Sequence, residues 1–182
     1  MEIQALRLPG VYLIRPAVHG DHRGFFTESY NRQAFVAHGL DFDFVQDNHS
    51  LSAQAGTVRG LHYQLADQAQ TKLVRVLTGA IYDVAVDIRR DSPTFGQWVG
   101  AILSADNKRQ LLVPKGFAHG FCTLVADTQV FYKVDAYYSP AHDRGIAWND
   151  PAIGIDWPVA AADAVLSGKD QGLPALRDAE LS

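Results

Sequence analysis

The stretch Arg59-Gly-Leu-His-Tyr-Gln64, with Lys72 heading the run Lys72-Leu-Val-Arg-Val-Leu-Thr78, sets a histidine and a lysine into an otherwise apolar, strand-like sequence. Gly60 leaves one side of the chain open to a close approach beside His62. Pro114-Lys-Gly-Phe-Ala-His119-Gly120 repeats the arrangement, with a histidine next to glycine after a strand end. Gln46, Asn48, Tyr132 and Asp170 complete a scattered polar and ionisable set. Such a set suits a reaction that needs a base, an acid and stabilisation of an anion.

A metal site would need three or more converging histidines or carboxylates, often beginning with a His-x-His pair. Here the partner of His62 is Gln64, and the next ionisable residue inward is Lys72. A lysine adds positive charge and offers no lone pair unless it is deprotonated. Metal-free acid–base chemistry is therefore the favoured reading, with no metal and no cofactor expected. A sugar-binding or regulatory barrel without chemistry is the alternative. Arg23, Arg59 and Lys169 each read singly as surface charges, but together with Gln46 and Asn48 they could make the anion-reading half of a pocket. Phe26, Tyr138 and Trp148 fit either stacking on a ring or packing in the core.

The chain has 182 residues and a mass of 20.0 kDa, with 47% hydrophobic and 20% charged residues. That composition predicts one globular domain over residues 1–182. A formal charge of −4 argues against a nucleic-acid partner and leaves room for a small anionic ligand. Cys122 is the single cysteine, which excludes an intrachain disulfide and reads as a small buried hydrophobe. No basic-then-apolar leader opens the sequence, and no run approaches the roughly 18 apolar residues of a membrane span. The expected location is the cytoplasm, with no membrane partner.

These residues must be positioned by strands. Gly10–Pro16 predicts an edge strand, and His19–Glu28 a polar turn leading into an aromatic strand. Asn31–His38 predicts a helix capped by Asn31 and stopped by Gly39. From Phe42 to Ser50 the pattern is β, and from Ile81 to Arg89 it alternates with period two. Phe95–Leu103, Arg109–Val113 and Thr128–Tyr138 supply further strands. Beyond Tyr138 a tail punctuated by prolines should wrap the β core, with a short helix over residues 158–166 and a loose last dozen residues. Short strands between turn residues predict an antiparallel sandwich or barrel.

Pro114-x-Gly116-x-x-His119 resembles the second motif of the cupin superfamily. More specifically, Asp21-His-Arg-Gly-Phe25, Gln46-Asp-Asn-His-Ser50, Arg59-Gly-Leu-His-Tyr-Gln64, Lys72-Leu-Val-Arg75, Ser92-Pro-Thr-Phe-Gly96, Pro114-Lys-Gly-Phe-Ala-His-Gly120, Tyr132-Lys133, Trp148-Asn-Asp-Pro151 and Ser167-Gly-Lys-Asp170 resemble the dTDP-4-dehydrorhamnose 3,5-epimerase family. The resemblance runs from about residue 3 to residue 176. It implies an all-β fold, a cupin-type jelly roll or double-stranded β-helix with short peripheral helices.

What the resemblance implies for function is epimerisation at C3 and C5 of dTDP-4-dehydro-6-deoxy-D-glucose. His62 matches the family's base, Asp170 the carboxylate that orients it, Tyr132 the proton donor on the far face and Lys72 the cation near the C4 oxygen. Arg23, Glu28, Gln46, Asn48, Arg59, His119, Tyr138, Asp143 and Lys169 match substrate-binding positions. Asp143 stands where the family pattern places a glutamate, one methylene longer. The resemblance also implies a homodimer in which the N-terminal segment crosses to the partner, so that Arg23 and Glu28 act in trans. A single-position relative, acting at C5 or C3 alone, and a non-catalytic sugar-nucleotide-binding cupin are the competing readings.

Overall fold

The computed structural model describes residues 1–181. Two antiparallel sheets carry the fold. The first contains β1 (Glu2–Ala5), β2 (Tyr12–Arg15), β5 (Gln46–Ser52), β7 (Lys72–Thr78), β10 (Gln110–Val113) and β12 (Thr128–Val134), in the order β1-β2-β10-β7-β12-β5. The second contains β6 (Val58–Gln64), β8 (Ala80–Asp87), β9 (Trp98–Ser104), β11 (Phe117–Thr123) and β13 (Asp143–Gly145), in the order β13-β6-β11-β8-β9. A separate hairpin pairs β3 (Val18–Asp21) with β4 (Gly24–Thr27). The non-sequential strand order and the two facing sheets make an all-β jelly roll, as expected.

The sheets meet through one apolar cluster. Val74, Val76 and Val130 come from the first sheet, and Ile81, Ala85, Phe117 and Phe121 from the second. Along β7, Lys72 continues the inward series of Val74 and Val76, because alternate residues of a strand share a face. Along β12, Tyr132 lies between Val130 and Val134 in the same way, opposite Val74 of β7 and Asn48 of β5. The sandwich is thus closed by hydrocarbon at one end and lined by polar groups at the other.

The register of β6 decides which residues reach those polar walls. His119 of β11 lies opposite His62, but Phe121, two residues on, lies opposite Arg59, three residues back. The extra residue is absorbed at the bulge where Gly60 sits at φ +128°. Opposed residues share a face, so Arg59 and His62 both turn inward although their spacing is odd. A Cβ on Gly60 would lie 2.6 Å from Gly120 Cα and 2.8 Å from the His119 carbonyl oxygen.

Several expected elements form where the pattern places them. Asn31 Oδ1 accepts from the Ala34 amide at 3.2 Å and caps α1 (Arg32–Ala37), and Gly39 follows the helix at φ +77°. Others differ for definable reasons. β2 is not an edge strand, because β1 pairs outside it. Phe42 and Phe44 belong to no strand; they pack with Tyr30, Phe35 and Leu40 over the outer side of the first sheet. Alternation along β8 is not a half-exposed pattern, since Val84 and Val86 are buried beneath the tail residues Ile146, Ile153, Leu176 and Ala179.

The expected helix over 158–166 does not form. Val165 instead donates to the Gly56 carbonyl at 3.0 Å and accepts from the Val58 amide at 2.9 Å, which lays it along the start of β6. The helix comes later, as α2 (Gly168–Gln171), with Ser167 Oγ accepting from the Asp170 amide. Nor are residues 171–181 of the expected loose terminus unattached; the last position of that reading lies outside the described residues. Leu176 donates its amide to Asp150 at 2.6 Å, and Tyr63 Oη donates to the Glu180 carbonyl at 2.6 Å. The tail does wrap the β core, and it does so as packed structure.

Gly60→Ala should therefore fail at both φ and volume. We expect a loss of about 3 kcal/mol or more of folding stability, measured by denaturant unfolding. A midpoint close to that of the unsubstituted chain would refute this account of the bulge.

Candidate active site

A cavity of about 530 Å³ opens at the polar end of the sandwich. The second sheet contributes Arg59, His62 and His119, and the first contributes Asn48, Lys72 and Tyr132. Lys169 and Asp170 reach it from α2. Side chains more than a hundred residues apart thus share one volume, and most of them stand on strands.

His62 Nε2 lies 2.5 Å from Asp170 Oδ1. The carboxylate is only 4% exposed, whereas the imidazole is 31% exposed and faces the cavity. Burial alone would raise the Asp170 pKa. The hydrogen bond and charge of His62, the Ser167 hydroxyl and the Lys169 charge outweigh it and hold the carboxyl below its ordinary value of 3.8. An ionised carboxylate on one ring nitrogen fixes the tautomer and favours the imidazolium that forms when the other nitrogen takes a proton.

Tyr132 is mostly buried, and that burial pushes its phenol up from 10, with Arg59 pulling weakly the other way. It is a protonated donor at neutral pH. Lys72 is buried on every side, and desolvation lowers its ammonium to about 8 while the carboxylates of Asp143 and Asp83 oppose the shift. Its Nζ donates to the His62 carbonyl oxygen at 3.4 Å, a long contact. At neutral pH it remains a cation set into a low-dielectric wall, where a charge acts more strongly than in water.

The remaining expected residues divide into three groups. Asn48, Arg59, His119 and Lys169 line the cavity. Arg59 is braced by Nε donating to Ser52 Oγ at 3.1 Å and Nη2 to the Leu51 carbonyl at 2.9 Å. Gln46, Tyr138 and Asp143 stand at the rim and are tied together. Gln46 Nε2 donates to Asn48 Oδ1 at 2.8 Å, and its Oε1 accepts from the Tyr138 amide at 3.1 Å. Tyr138 Oη donates to Asp143 Oδ2 at 3.1 Å, and the same oxygen accepts from Lys169 Nζ.

Arg23 and Glu28 do not reach the cavity. Arg23 is 78% exposed in the turn of the hairpin and pairs with Asp21 at 2.5 Å. Glu28 accepts from Asn31 at 3.2 Å on a different part of the surface. Of the three aromatic residues with two readings, Trp148 is settled as core, packed with Val58, Cys122 and Trp157. Phe26 lies exposed on the hairpin and Tyr138 exposed at the rim.

Sequence reasoning missed Asp83. His119 Nε2 lies 2.7 Å from Asp83 Oδ1, and both are buried. The available signal was the alternation along β8, which sets Asp83 on one face with Ile81 and Ala85. A carboxylate on a face of small and aliphatic residues, as Asp83 and Asp87 both are, marks a buried partner. Among the described residues, no group of three or more His, Cys, Asp or Glu side chains converges as a metal would need.

Comparison with known proteins bears on this arrangement. A family model described as dTDP-4-dehydrorhamnose 3,5-epimerase matches residues 5–178. A relative of that name from Sinorhizobium fredii is 55% identical across the whole of this chain and 93% of its own length. The crystal structure of the Bacillus anthracis enzyme of that name, with TDP and pyrophosphate bound, superposes with a TM-score of 0.93 at 58% identity, covering 96% of this chain and 98% of that one. A Legionella pneumophila dTDP-6-deoxy-D-glucose-3,5-epimerase, in complex with dTDP-4-keto-L-rhamnose, gives a TM-score of 0.92 at 48% identity over 97% and 93% of the two chains.

The depressed Asp170 carboxyl makes a prediction about stability. A group whose folded pKa lies below its unfolded value stabilises the fold above the unfolded pKa and loses that contribution as pH falls through the folded one. Asp170→Asn should therefore lower the denaturant midpoint at pH 7 by more than at pH 3. An equal loss at both pH values would contradict the charged pairing.

Proposed function

We propose, for a chain that belongs to the dTDP-4-dehydrorhamnose 3,5-epimerase family, a division of labour among the residues of this cavity. The protein is an isomerase that inverts C3 and C5 of dTDP-4-dehydro-6-deoxy-D-glucose to give dTDP-4-dehydro-L-rhamnose. The C4 carbonyl of the substrate acidifies both neighbouring C–H bonds. His62 takes the proton through Nδ1, the ring nitrogen that Asp170 does not engage. The electron pair moves into a C3–C4 or C4–C5 enolate whose oxygen bears the negative charge. Lys72 stabilises that oxygen, and His119 lies along the same wall. Tyr132 then delivers a proton to the opposite face of the carbon; once His62 has released its proton to solvent and Tyr132 has regained one from it, the sequence repeats at the second carbon.

One observation carries this reading: a carboxylate-backed imidazole and a protonated phenol rise from opposite sheets into the same cavity, with a buried ammonium beside them. Epimerisation requires a group on each side of the ring, and strands of two facing sheets supply them. Acidity comes from the substrate's own carbonyl and the positive charge from Lys72, so we assign no cofactor or metal.

Arg59, Asn48 and Lys169 are placed to hold the diphosphate and nucleoside, with Gln46, Tyr138 and Asp143 closing the rim around the sugar or base. The single domain of residues 1–182 works in our reading as a cytoplasmic homodimer. Among the described residues the β3–β4 hairpin pairs with no other strand, and it exposes Phe25 and Phe26, which supports its crossing to a second copy and presenting Arg23 and Glu28 there.

Incubation with the 4-keto sugar nucleotide in deuterated water should place label at both C3 and C5 of the product. Label at one carbon alone would identify a single-position epimerase, and no label would leave a binding protein. His62→Ala should cut turnover by about 10²–10⁴-fold with nucleotide affinity little changed; turnover near that of the unsubstituted enzyme would remove His62 from the role of base.

A further inference from the structure

Asp83 lies on β8 with its carboxylate fully buried. Oδ1 is 2.7 Å from His119 Nε2, and among the described residues Oδ2 has no hydrogen-bond partner. A buried charged oxygen left open costs free energy unless some charge nearby repays it. The register of β8 and β11 places Asp83 opposite Phe121, on the inner face that also carries His119. Lys72 is the complementary case on the facing sheet: a buried ammonium whose hydrogen bond is one long contact to a backbone carbonyl.

The ionisable groups around Lys72 come from every neighbouring element. They are His62 of β6, Asp83 of β8, His119 of β11, Tyr132 of β12, Asp143 of β13, and Lys169 with Asp170 of α2; Arg59 of β6 lies further along the wall. Two of the three carboxylates are already matched. Asp143 holds Lys169 and Tyr138, and Asp170 holds His62. Asp83 is the one with an unshared oxygen.

We propose that Asp83 is a positioning residue for the epimerisation, its carboxylate orienting His119 with one oxygen and serving as the buried counter-charge that keeps Lys72 cationic. The proposal rests on the functional reading above, in which Lys72 stabilises the enolate. Burial pushes the Lys72 ammonium down towards the working pH, and Asp83 is one of two carboxylates that resist the shift. The negative charge of Asp143 is offset at Lys72 by the adjoining Lys169, which acts in the opposite sense. Among the described residues no salt bridge joins Asp83 to a lysine or arginine, and its second oxygen is left open beside the His119 that lines the cavity.

The test is the pH dependence of kcat/KM in Asp83→Asn and Asp83→Glu. Asparagine retains an acceptor for His119 and removes the charge. The alkaline limb of D83N should move about one unit to lower pH, and D83E, which keeps the charge, should hold the limb near that of the unsubstituted enzyme even if its turnover falls. A D83N limb that stays in place beneath a uniformly lower rate would show that Asp83 only supports His119, and would overturn the proposal. If D83N does not fold, D83E decides: a limb displaced downward in the presence of the charge overturns the proposal, and an unmoved limb supports it. Deuterium uptake by the unsubstituted enzyme is read in parallel. Its absence would defeat the functional reading, whereas an unmoved D83N limb defeats only the role given to Asp83.

Discussion

The 2.5 Å hydrogen bond between His62 and Asp170 joins residues 108 positions apart, and the rest of the site depends on it. One partner stands on a central strand and the other on a one-turn helix in the tail. Their meeting requires that the tail return across the β core and be fixed there. Ser167 caps α2, Val165 is bonded along β6, and Leu176 packs beneath β8 while its amide is held by Asp150. What a sequence-level view would treat as a trailing segment is the element that orients the His62 imidazole.

A second constraint acts within the sandwich. A jelly roll is stabilised by apolar contact between its sheets, yet this one gives up part of that contact to a polar cavity. The hydrocarbon of Val74, Val76, Val130, Phe117 and Phe121 closes one end firmly enough for Lys72, Tyr132 and His119 to be held in place at the other. Buried ionisable groups are tolerated because most are matched: Asp170 with His62, His119 with Asp83, and Asp143 with Lys169. Lys72 is the exception. A cation with no direct ion pair among the described residues is costly in a resting protein and is free to face a developing anionic oxygen.

How much of this could be read from the residues varies with the kind of information. Motif order identified the family resemblance, and with it the jelly roll and the set His62, Lys72, Tyr132 and Asp170, because those residues lie in short contiguous signatures. Period-two alternation located β8 and β12 but not their surroundings. Whether Val84 and Val86 face water or a covering tail is decided by chain folding far away. The odd spacing of Arg59 and His62 conceals that both face inward, since the bulge at Gly60 is a matter of register. Alanine-rich composition at 158–166 suggested helix, and strand-like backbone bonding to Gly56 and Val58 won instead. Asp83 escaped notice because its importance lies in a partner 36 residues away in sequence. Arg23 and Glu28 have the right chemistry, but one chain folded alone leaves them outside the cavity.

The central claim is that the base and the acid are distinct groups on opposite sides of one sugar ring. Tyr132→Phe separates them, since it removes the donor's proton while leaving the His62–Asp170 pair untouched. With this variant in deuterated water, mass spectrometry and NMR of the recovered sugar nucleotide should find deuterium at the acidified carbons with their configuration retained, because the half-exposed His62 exchanges its proton with solvent and returns it to the face it came from. Inversion at the unsubstituted rate, or complete absence of label, would contradict the account.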